Sequence, residues 1–232
     1  MRSKQTLKES GAAATRRRTG NRPTRRRLGQ VGQHTATRER LLEAALTTLR
    51  THGFVGTTAR EIARTGEVNQ ALIFYYYGSV DKLLLAALDL TSARRLARYQ
   101  SELAKVTSLS ELITVMARLY AEDVEVGHVA AVQEMVAGGS SIPALRAEVV
   151  ARMGPWVHFA ESVISRLVKG TAFESLLPTG DMAYAAVALY FGIETLTHLH
   201  GDRSRAESLF KTAAQFAPIA DGLLQLAERS AS

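Results

Sequence analysis

The sequence contains no cysteine, no apolar stretch long enough to cross a bilayer and no segment typical of a signal peptide. Without cysteine, disulfides, cysteine–zinc sites and thiol nucleophiles are excluded, which fits a reducing compartment. A membrane-spanning helix needs roughly 20 consecutive apolar residues, and a signal peptide needs an apolar segment behind a charged start. These absences predict a cytoplasmic protein that has no membrane partner.

The motifs of common enzymes are absent as well: we find no P-loop, no nucleophile elbow and no His-Glu-x-x-His. The one cluster with metal-ligand character consists of Glu194, His198, His200 and Asp202. On a helix Glu194 and His198 share a face, but His200 points elsewhere. We interpret the cluster as a polar helix end, and we expect neither an enzyme nor a bound cofactor or metal.

Positive charge is in excess, and all of the excess lies at one end. Residues 1–36 carry ten Lys or Arg and one acid, whereas residues 37–232 carry nineteen basic and twenty-one acidic residues. The first segment has almost no large apolar residues and contains two arginine triplets, at 16–18 and 25–27. This composition predicts a basic disordered arm. It is compatible with a solubilising tail, with a transit peptide, or with an arm that neutralises DNA phosphates.

Apolar residues make up 46% of the chain, and from residue 37 onwards they recur at helical spacing without sustained alternation. We therefore predict an all-α fold. Thr37 is the expected N-cap of the first helix, Gly53 its end, and the segments 138–141 and 177–180 are expected to be loops. The remaining helices are predicted at 59–65, 70–77, 81–101, 109–126, 128–137, 143–169 with a break at Gly154-Pro155, 180–199, and 203–227 with a kink at Pro218.

The first three predicted helices form a unit typical of a helix-turn-helix. Two short helices are joined by a tight turn at Gly66, and a longer helix precedes them. The third helix begins with Asn69 and Gln70, whose amide side chains can bond base edges in the major groove. The consecutive tyrosines 75–77 point about 100° apart, so at least one ring must be exposed. Ile73 and the last tyrosine are expected to face the core.

The segment from Thr37 to Leu84 contains a series of motifs in a characteristic order: Arg40-x-x-x-x-Ala45, Gly53-Phe54, Thr57-Thr58-x-x-Glu61-Ile62-Ala63, Val68-Asn69, Ile73-Phe74-Tyr75-Tyr76-Tyr77 and Ser79-x-Asp81-Lys82-Leu83-Leu84. In these motifs the segment resembles the DNA-binding domain of the tetracycline-repressor (TetR) family. The resemblance implies a homodimer whose two recognition helices enter successive major grooves of a palindromic operator in double-stranded DNA. It also implies a C-terminal helical domain that binds a small-molecule effector and releases the DNA.

The resemblance implies phosphate contacts from Thr58 and Tyr76 and base-edge contacts from Gln70, Ala71 and Tyr75. Small apolar side chains near the helix start can also touch a thymine methyl group. The full set of predicted DNA-binding residues is Thr58, Asn69, Gln70, Ala71, Leu72, Tyr75, Tyr76 and Lys82.

The sequence departs from the family pattern at three positions and in the length of its arm. Glu67 stands where the turn glycine is usual, and we expect Gly66 to do its work. Val80 replaces a frequent lysine that contacts phosphate, a contact that Lys82 could make instead. Phe74 replaces a tyrosine and so removes a hydroxyl group.

Behind this unit, the helix predicted at 180–199 is apolar on more than one side and therefore needs two burial partners, its own core and a second subunit. Together with the last helix it resembles the four-helix dimer interface of the TetR family. The predicted interface residues are Ala183, Val187, Leu209, Ala213, Phe216, Ala220 and Leu223.

An effector site is predicted among the middle helices, where large apolar and aromatic side chains accumulate around the helix break at Gly154-Pro155. A highly anionic ligand is disfavoured because no cluster of Lys or Arg lies there. The predicted pocket residues are Met116, Tyr120, Met135, Trp156, Phe159 and Tyr190.

The sequence thus predicts an arm at 1–36, a DNA-binding domain at 37–84 and a ligand-binding and dimerisation domain at 85–232. The predicted function is that of a homodimeric transcriptional repressor. Two rival interpretations are a ligand-binding or enzymatic helical bundle and a non-specific nucleic-acid packaging protein driven by the arm.

Overall fold

The computed structural model describes residues 25–231, with side chains described for residues 33–128, 130–139 and 142–226. Of the described residues, 38–231 belong to one compact unit and 25–37 belong to another. Every regular element in the described part is a helix, which confirms the all-α prediction. The helices are α1 (Arg25–Gly56), α2 (Ala59–Thr65), α3 (Ala71–Tyr77), α4 (Val80–Leu103), α5 (Leu109–Val126), α6 (His128–Ser141), α7 (Pro143–Ala151), α8 (Gly154–Val168), α9 (Thr179–His200) and α10 (Ser204–Ala231).

The first helix begins well before the expected cap. The Thr37 hydroxyl donates to the carbonyl oxygen of Gln33 at 2.8 Å, as threonine does inside a helix. The prediction of an N-cap at Thr37 is therefore wrong, and residues 25–36 are helical where a disordered arm was expected. The rest of the predicted arm, residues 1–24, lies outside the described residues.

A small apolar core holds α1, α2, α3 and the start of α4 together. Leu41, Leu49, Ile62, Ile73 and Leu83 are fully buried in it. Burying a side chain of this size stabilises a fold by about 1.5–3 kcal/mol. The same core continues into α6 and α7, so the three-helix unit is packed directly against the rest of residues 38–232.

Two glycines shape the contact between α1 and α6. Gly53 has φ 68° and ψ 178°, which breaks α1 where the sequence predicted its end. At Gly138, a Cβ atom would lie 2.5–2.6 Å from atoms of the Phe54 ring. The expectation of a loop at 138–141 is wrong, because Gly138 lies inside α6 and allows Phe54 to approach closely.

The later helices follow the sequence prediction in most respects. A break at Arg152 and Met153 divides the predicted helix 143–169 into α7 and α8, with Pro155 in the first turn of α8. Pro218 lies inside α10, which continues to Ala231. In the part of the chain that the structure describes, length and composition single out no individual helix as a membrane span; α3 and α4 pass that test only jointly, across a 66° bend.

Candidate functional site

The turn between α2 and α3 differs from the sequence expectation. Thr58 caps α2, and its hydroxyl accepts the backbone N–H of Glu61 at 3.2 Å, as in a capping box. Glu67 itself adopts a left-handed φ of 49°, whereas Gly66 has an ordinary φ of −87°. The expectation that Gly66 replaces the usual turn glycine is therefore wrong. Gly66 allows close packing instead, since a Cβ there would lie 2.9 Å from the Cβ of Ala44.

Helix α3 presents an exposed N-terminal turn and an exposed aromatic ring. The Asn69 side-chain oxygen accepts the Ala71 N–H at 2.8 Å and so caps the helix, while Gln70 is exposed and makes no capping bond. Tyr75 is 72% exposed, and Ile73 is fully buried, both as predicted. Tyr76 meets Tyr75 edge to face, with ring centroids 4.9 Å apart.

The predicted DNA-binding residues all lie on or beside α2, α3 and the first turn of α4. Leu72 and Tyr76 are only partly exposed because they pack against the core. The other predicted residues are exposed: Thr58, Asn69, Gln70, Ala71, Tyr75 and Lys82. The surface therefore offers amide, hydroxyl, methyl and ammonium groups, which are the groups that recognise base edges and phosphates.

A cavity of about 230 Å³ lies among α4, α5, α6, α7, α8 and α9. Of the predicted pocket residues, those that line it are Met116, Met135, Trp156, Phe159 and Tyr190. Tyr120 does not line it. Its ring is buried 5.9 Å from that of Tyr190, and its hydroxyl pairs with that of Thr197 at 2.6 Å.

Buried charges lie beside the apolar walls of this cavity. The Arg95 guanidinium donates to Asp123 from Nε at 2.9 Å and from Nη2 at 2.5 Å. The same Nη2 donates to Glu194 at 3.2 Å. The Tyr99 hydroxyl donates to Asp123 at 2.7 Å and lies 2.7 Å from the Tyr190 hydroxyl. Residues from α4, α5 and α9 thus form one hydrogen-bonded network.

Burial dominates the electrostatics of this network. It raises the pKa of Glu194 to about 7, although the neighbouring Arg95 charge opposes the shift. Burial also raises the pKa of the Tyr99 and Tyr190 hydroxyls, so both stay protonated and act as hydrogen-bond donors. For Arg95 burial would lower the pKa, but the charges of Glu194 and Asp123 outweigh it and raise the pKa.

Trp156 and Arg152 form another part of the lining. The Trp156 indole N–H donates to the Ser92 hydroxyl at 2.9 Å, and the Arg95 guanidinium lies 5.2 Å from the indole ring centre. Arg152 donates to Asp89 at 2.6 and 3.0 Å and to Glu148 at 2.7 Å. Trp156 therefore lies in the cavity wall, in the region where the sequence predicts the effector site.

The predicted dimer residues of α9 and α10 differ in exposure. Ala183 is fully buried and Val187 lines the cavity, so the prediction that these two residues form a dimer face is wrong. The opposite line of α9 is exposed. On α10, Leu209, Phe216 and Leu223 are exposed as an interface requires, whereas Ala213 and Ala220 are half-buried. The exposed large apolar residues of α9 and α10 are Met182, Tyr184, Leu189, Leu196, Leu199, Leu209, Phe216, Ile219, Leu223 and Leu226.

The cluster with metal-ligand character has separate partners in the structure. Glu194 points to Arg95, whereas His198 lies 3.7 Å from Glu134 of α6. Asp202 accepts bonds from Ser204 at the start of α10.

Sequence reasoning missed Arg95 and Tyr99 as residues of the cavity wall and Asp123 as their buried partner. A signal was present for each of them. Arg95 and Tyr99 are four residues apart and so share one face of α4. Asp123 stands in an otherwise apolar stripe of α5 with Met116 and Leu119, and a carboxylate in such a stripe needs a buried partner.

The fold and the exposed α3 define a class, that of helical proteins with an N-terminal helix-turn-helix. Residues 41–87 match the family described as bacterial regulatory proteins, tetR family. The match lies in the helix-turn-helix, where the chain resembles this family.

A curated relative supports the same assignment. The HTH-type transcriptional regulator BetI of Rhizobium meliloti (strain 1021) is 38% identical over 61 residues, which are 26% of this chain and 30% of that protein. The chain therefore matches less than a third of the relative's length.

Solved structures extend the similarity of fold to most of the chain. The fatty acid degradation regulator FadR from Bacillus halodurans has a TM-score of 0.68 at 15% identity, covering 78% of this chain and 94% of that one. A transcriptional regulator from Saccharomonospora viridis in complex with choline has a TM-score of 0.64 at 19% identity, covering 78% of this chain and 95% of that one. At these identities the similarity concerns the fold.

Proposed function

We propose that this chain is a homodimeric, sequence-specific DNA-binding repressor that a small-molecule effector releases from a palindromic operator. The observation that carries the proposal is the joint presence of an exposed recognition helix and an internal cavity. Helix α3 leaves Gln70, Ala71 and Tyr75 exposed, and the cavity of about 230 Å³ has Trp156 in its wall. The match to the tetR family supports the DNA-binding part, and the neighbour in complex with choline shows that a protein of this fold can hold a small molecule.

The dimer is supported by the exposed apolar residues of α9 and α10. Leu189, Phe216 and Leu223 are each more than half exposed. Apolar surface of this extent on two adjacent long helices is typical of a protein interface. A two-fold axis through it would pair α9 and α10 with their copies, and it would present two α3 helices to successive major grooves, roughly 34 Å apart.

Two connections link the cavity to the DNA-binding helices. Helix α4 begins one residue after the Ser79 cap, close behind α3, and farther along carries Arg95 into the cavity wall. Helix α6 places Met135 in the cavity wall, while its Glu134 accepts the Phe54 N–H at 2.8 Å. We propose that an effector shifts α4 and α6 and thereby changes the spacing of the recognition helices. Such a ligand moves the equilibrium only by its differential affinity for the two states.

Operator selection tests the DNA-binding part. The purified full chain is incubated with random-sequence duplex DNA, and bound DNA is recovered and sequenced over several rounds. A repressor of this design enriches an inverted repeat with half-sites on one face of the duplex. Binding to the selected duplex should exceed binding to a scrambled duplex at least about a thousandfold.

The rival packaging protein predicts a different result. It would recover no consensus, and its binding would depend on salt alone, with equal affinity for selected and scrambled duplexes. For the enzymatic bundle we find no supporting observation in the described residues. The proposed function therefore remains that of a regulator.

A further inference from the structure

Both arginines in the cavity wall are paired with carboxylates, and among the described lining residues the carboxylate is Glu194. Among the described lining residues the arginines are Arg95 and Arg152. Arg95 bonds Asp123 and Glu194. Arg152 bonds Asp89 and Glu148, which are both exposed. Each guanidinium thus faces two carboxylates, and His128, whose pKa burial lowers, adds no positive charge near neutral pH.

The two carboxylates around Arg95 are not equivalent. One oxygen of Asp123 accepts three hydrogen bonds, two from Arg95 and one from Tyr99. Glu194 is only 4% exposed and accepts one longer bond from Arg95, at 3.2 Å, with the Tyr190 hydroxyl as its second hydrogen-bond partner. Asp123 already neutralises the guanidinium, so Glu194 is the surplus anion. Of the two, only Glu194 lines the cavity.

A second carboxylate beside Arg95 does not stabilise the protein while the cavity is empty. Burying an ionised group without a full set of partners costs several kcal/mol. Arg95 and Asp123 would form a complete ion pair without Glu194. A buried, under-satisfied group that faces a cavity is typical of a binding site.

The surroundings of Glu194 suit a cation. Tyr99, Trp156 and Tyr190 also line the cavity, and the Tyr99 and Trp156 rings meet edge to face at 5.3 Å. Aromatic faces attract cations through their quadrupole, as Arg95 itself shows at 5.2 Å from the Trp156 ring centre. The remaining wall is mostly apolar and includes Leu103, Leu112, Met116, Phe159 and Val163.

We propose that the cavity binds a compact organic monocation, whose cationic group lies beside the Glu194 carboxylate and whose apolar body fills the remaining space. An anion would have to displace a carboxylate from Arg95, and a neutral molecule would leave Glu194 under-satisfied. A volume of about 230 Å³ lies just below the usual range for ligand pockets, about 300–1,000 Å³, so the ligand is small. This inference rests on the proposed effector-binding role and names the class of effector.

Isosteric probe pairs test the proposal. Benzyltrimethylammonium and neopentylbenzene have the same shape and differ only in charge, as do hexyltrimethylammonium and 2,2-dimethyloctane. Trp156 is the only tryptophan of the chain, so its fluorescence reports binding at this site. In each pair that binds, the full-length protein should hold the cation at least about tenfold more tightly than the neutral isostere. Equal or weaker binding of the cation, or no binding of either cation, overturns the proposal.

Three variants test whether the preference for the cation over its neutral isostere depends on the charge of Glu194. Glu194→Gln keeps the shape of the side chain and removes its charge, and it should bring the preference for the cation down to about twofold or less. Glu194→Asp keeps the charge and should retain most of the preference. Glu125→Gln removes an exposed carboxylate at the end of α5 and should change nothing. A preference that survives in Glu194→Gln overturns the proposal, and circular dichroism establishes that each variant is folded.

The DNA experiment separates this inference from the proposed function. Probe binding is measured on the protein without DNA. If the cations bind through Glu194 but leave operator affinity unchanged, the cation site stands and its role as a regulatory switch fails. If an operator is found but neutral and cationic probes bind alike, the DNA-binding function stands and the proposed effector class is wrong.

Discussion

The DNA-binding helices and the cavity region place their polar groups in opposite ways. In α2 and α3 the functional candidates Thr58, Gln70 and Tyr75 are exposed above a mostly apolar core. Around the cavity, Arg95 and Glu194 are buried behind apolar walls. A surface that must meet a solvated, charged duplex keeps its groups in water until binding. A cavity that must recognise a small molecule fixes its few polar groups in advance, inside a low-dielectric wall.

The largest expected effect, on dimerisation and operator affinity, comes from the exposed apolar surface of α9 and α10. Phe216→Arg and Leu189→Arg should yield monomers, because a charge at a two-fold interface is buried twice. Operator affinity should then fall at least about a hundredfold, since one recognition helix is lost. Sedimentation equilibrium and fluorescence anisotropy measure the two quantities.

The control is Gln215→Arg, which adds the same charge at an exposed polar position of α10. It should remain dimeric. Intact dimers in both test variants would place the interface elsewhere on the surface.

The next effect compares a buried carboxyl group with an exposed one by the way in which each changes protein stability with pH. Burial raises the pKa of Glu194 from 4.5 to about 7. Protonated Glu194 therefore stabilises the folded state fully below pH 4.5. This stabilisation is lost as the pH rises through 7 and the buried carboxyl group ionises. Glu194→Gln cannot ionise, so at pH 8 it should be more stable than the parent by on the order of 3 kcal/mol. At pH 4 the two should be nearly equal.

Urea unfolding at both pH values, at one fixed protein concentration, measures this difference. The exposed control Glu125→Gln should follow the parent at both. A Glu194→Gln variant that is no more stable at pH 8 than the parent would show that Arg95 fully compensates the buried carboxylate.

Base recognition is expected to have a smaller effect per residue. Gln70→Ala and Tyr75→Ala should each weaken binding to the selected operator by about 1–3 kcal/mol, because each removes base-edge contacts. Binding to scrambled DNA should change little. Lys82→Ala is the matched comparison, since loss of a phosphate contact weakens binding to both duplexes alike. Equal losses on both duplexes for Gln70→Ala would exclude a base-reading role.

The smallest effect concerns the turn between α2 and α3. Glu67→Gly should stabilise the protein by up to about 1 kcal/mol. A left-handed conformation costs roughly 1–2 kcal/mol in a non-glycine residue, and glycine removes this strain. Part of the gain is offset because glycine loses more backbone entropy on folding. Gly66→Ala, one residue earlier, should destabilise it, since the new Cβ would lie 2.9 Å from the Ala44 Cβ. Thermal unfolding compares the pair, and shifts of the same sign would contradict this account of the turn.

Much of the DNA-binding unit was predictable because its signals are local. The bounds of α2, the cap at Thr58 and the burial of Ile73 follow from side chains within one or two helical turns. The turn conformation was not predictable in detail. Gly66 packs closely against Ala44, more than twenty residues away, and the positive φ falls on Glu67 instead.

By itself the sequence determined the helical class, the helix-turn-helix and five residues of the cavity wall, because periodicity, caps and large apolar side chains act over short distances. Only the tertiary structure decided which side of α9 faces inward. Helix α9 is apolar around most of its circumference, so its own pattern fits either orientation, and contacts with other helices choose between them. The same contacts bring Arg95, Asp123 and Glu194 from α4, α5 and α9 into hydrogen-bonding distance. No local sequence pattern predicts that these three side chains approach one another. The energy of a buried ion pair depends on distances that are set only when the helices have packed.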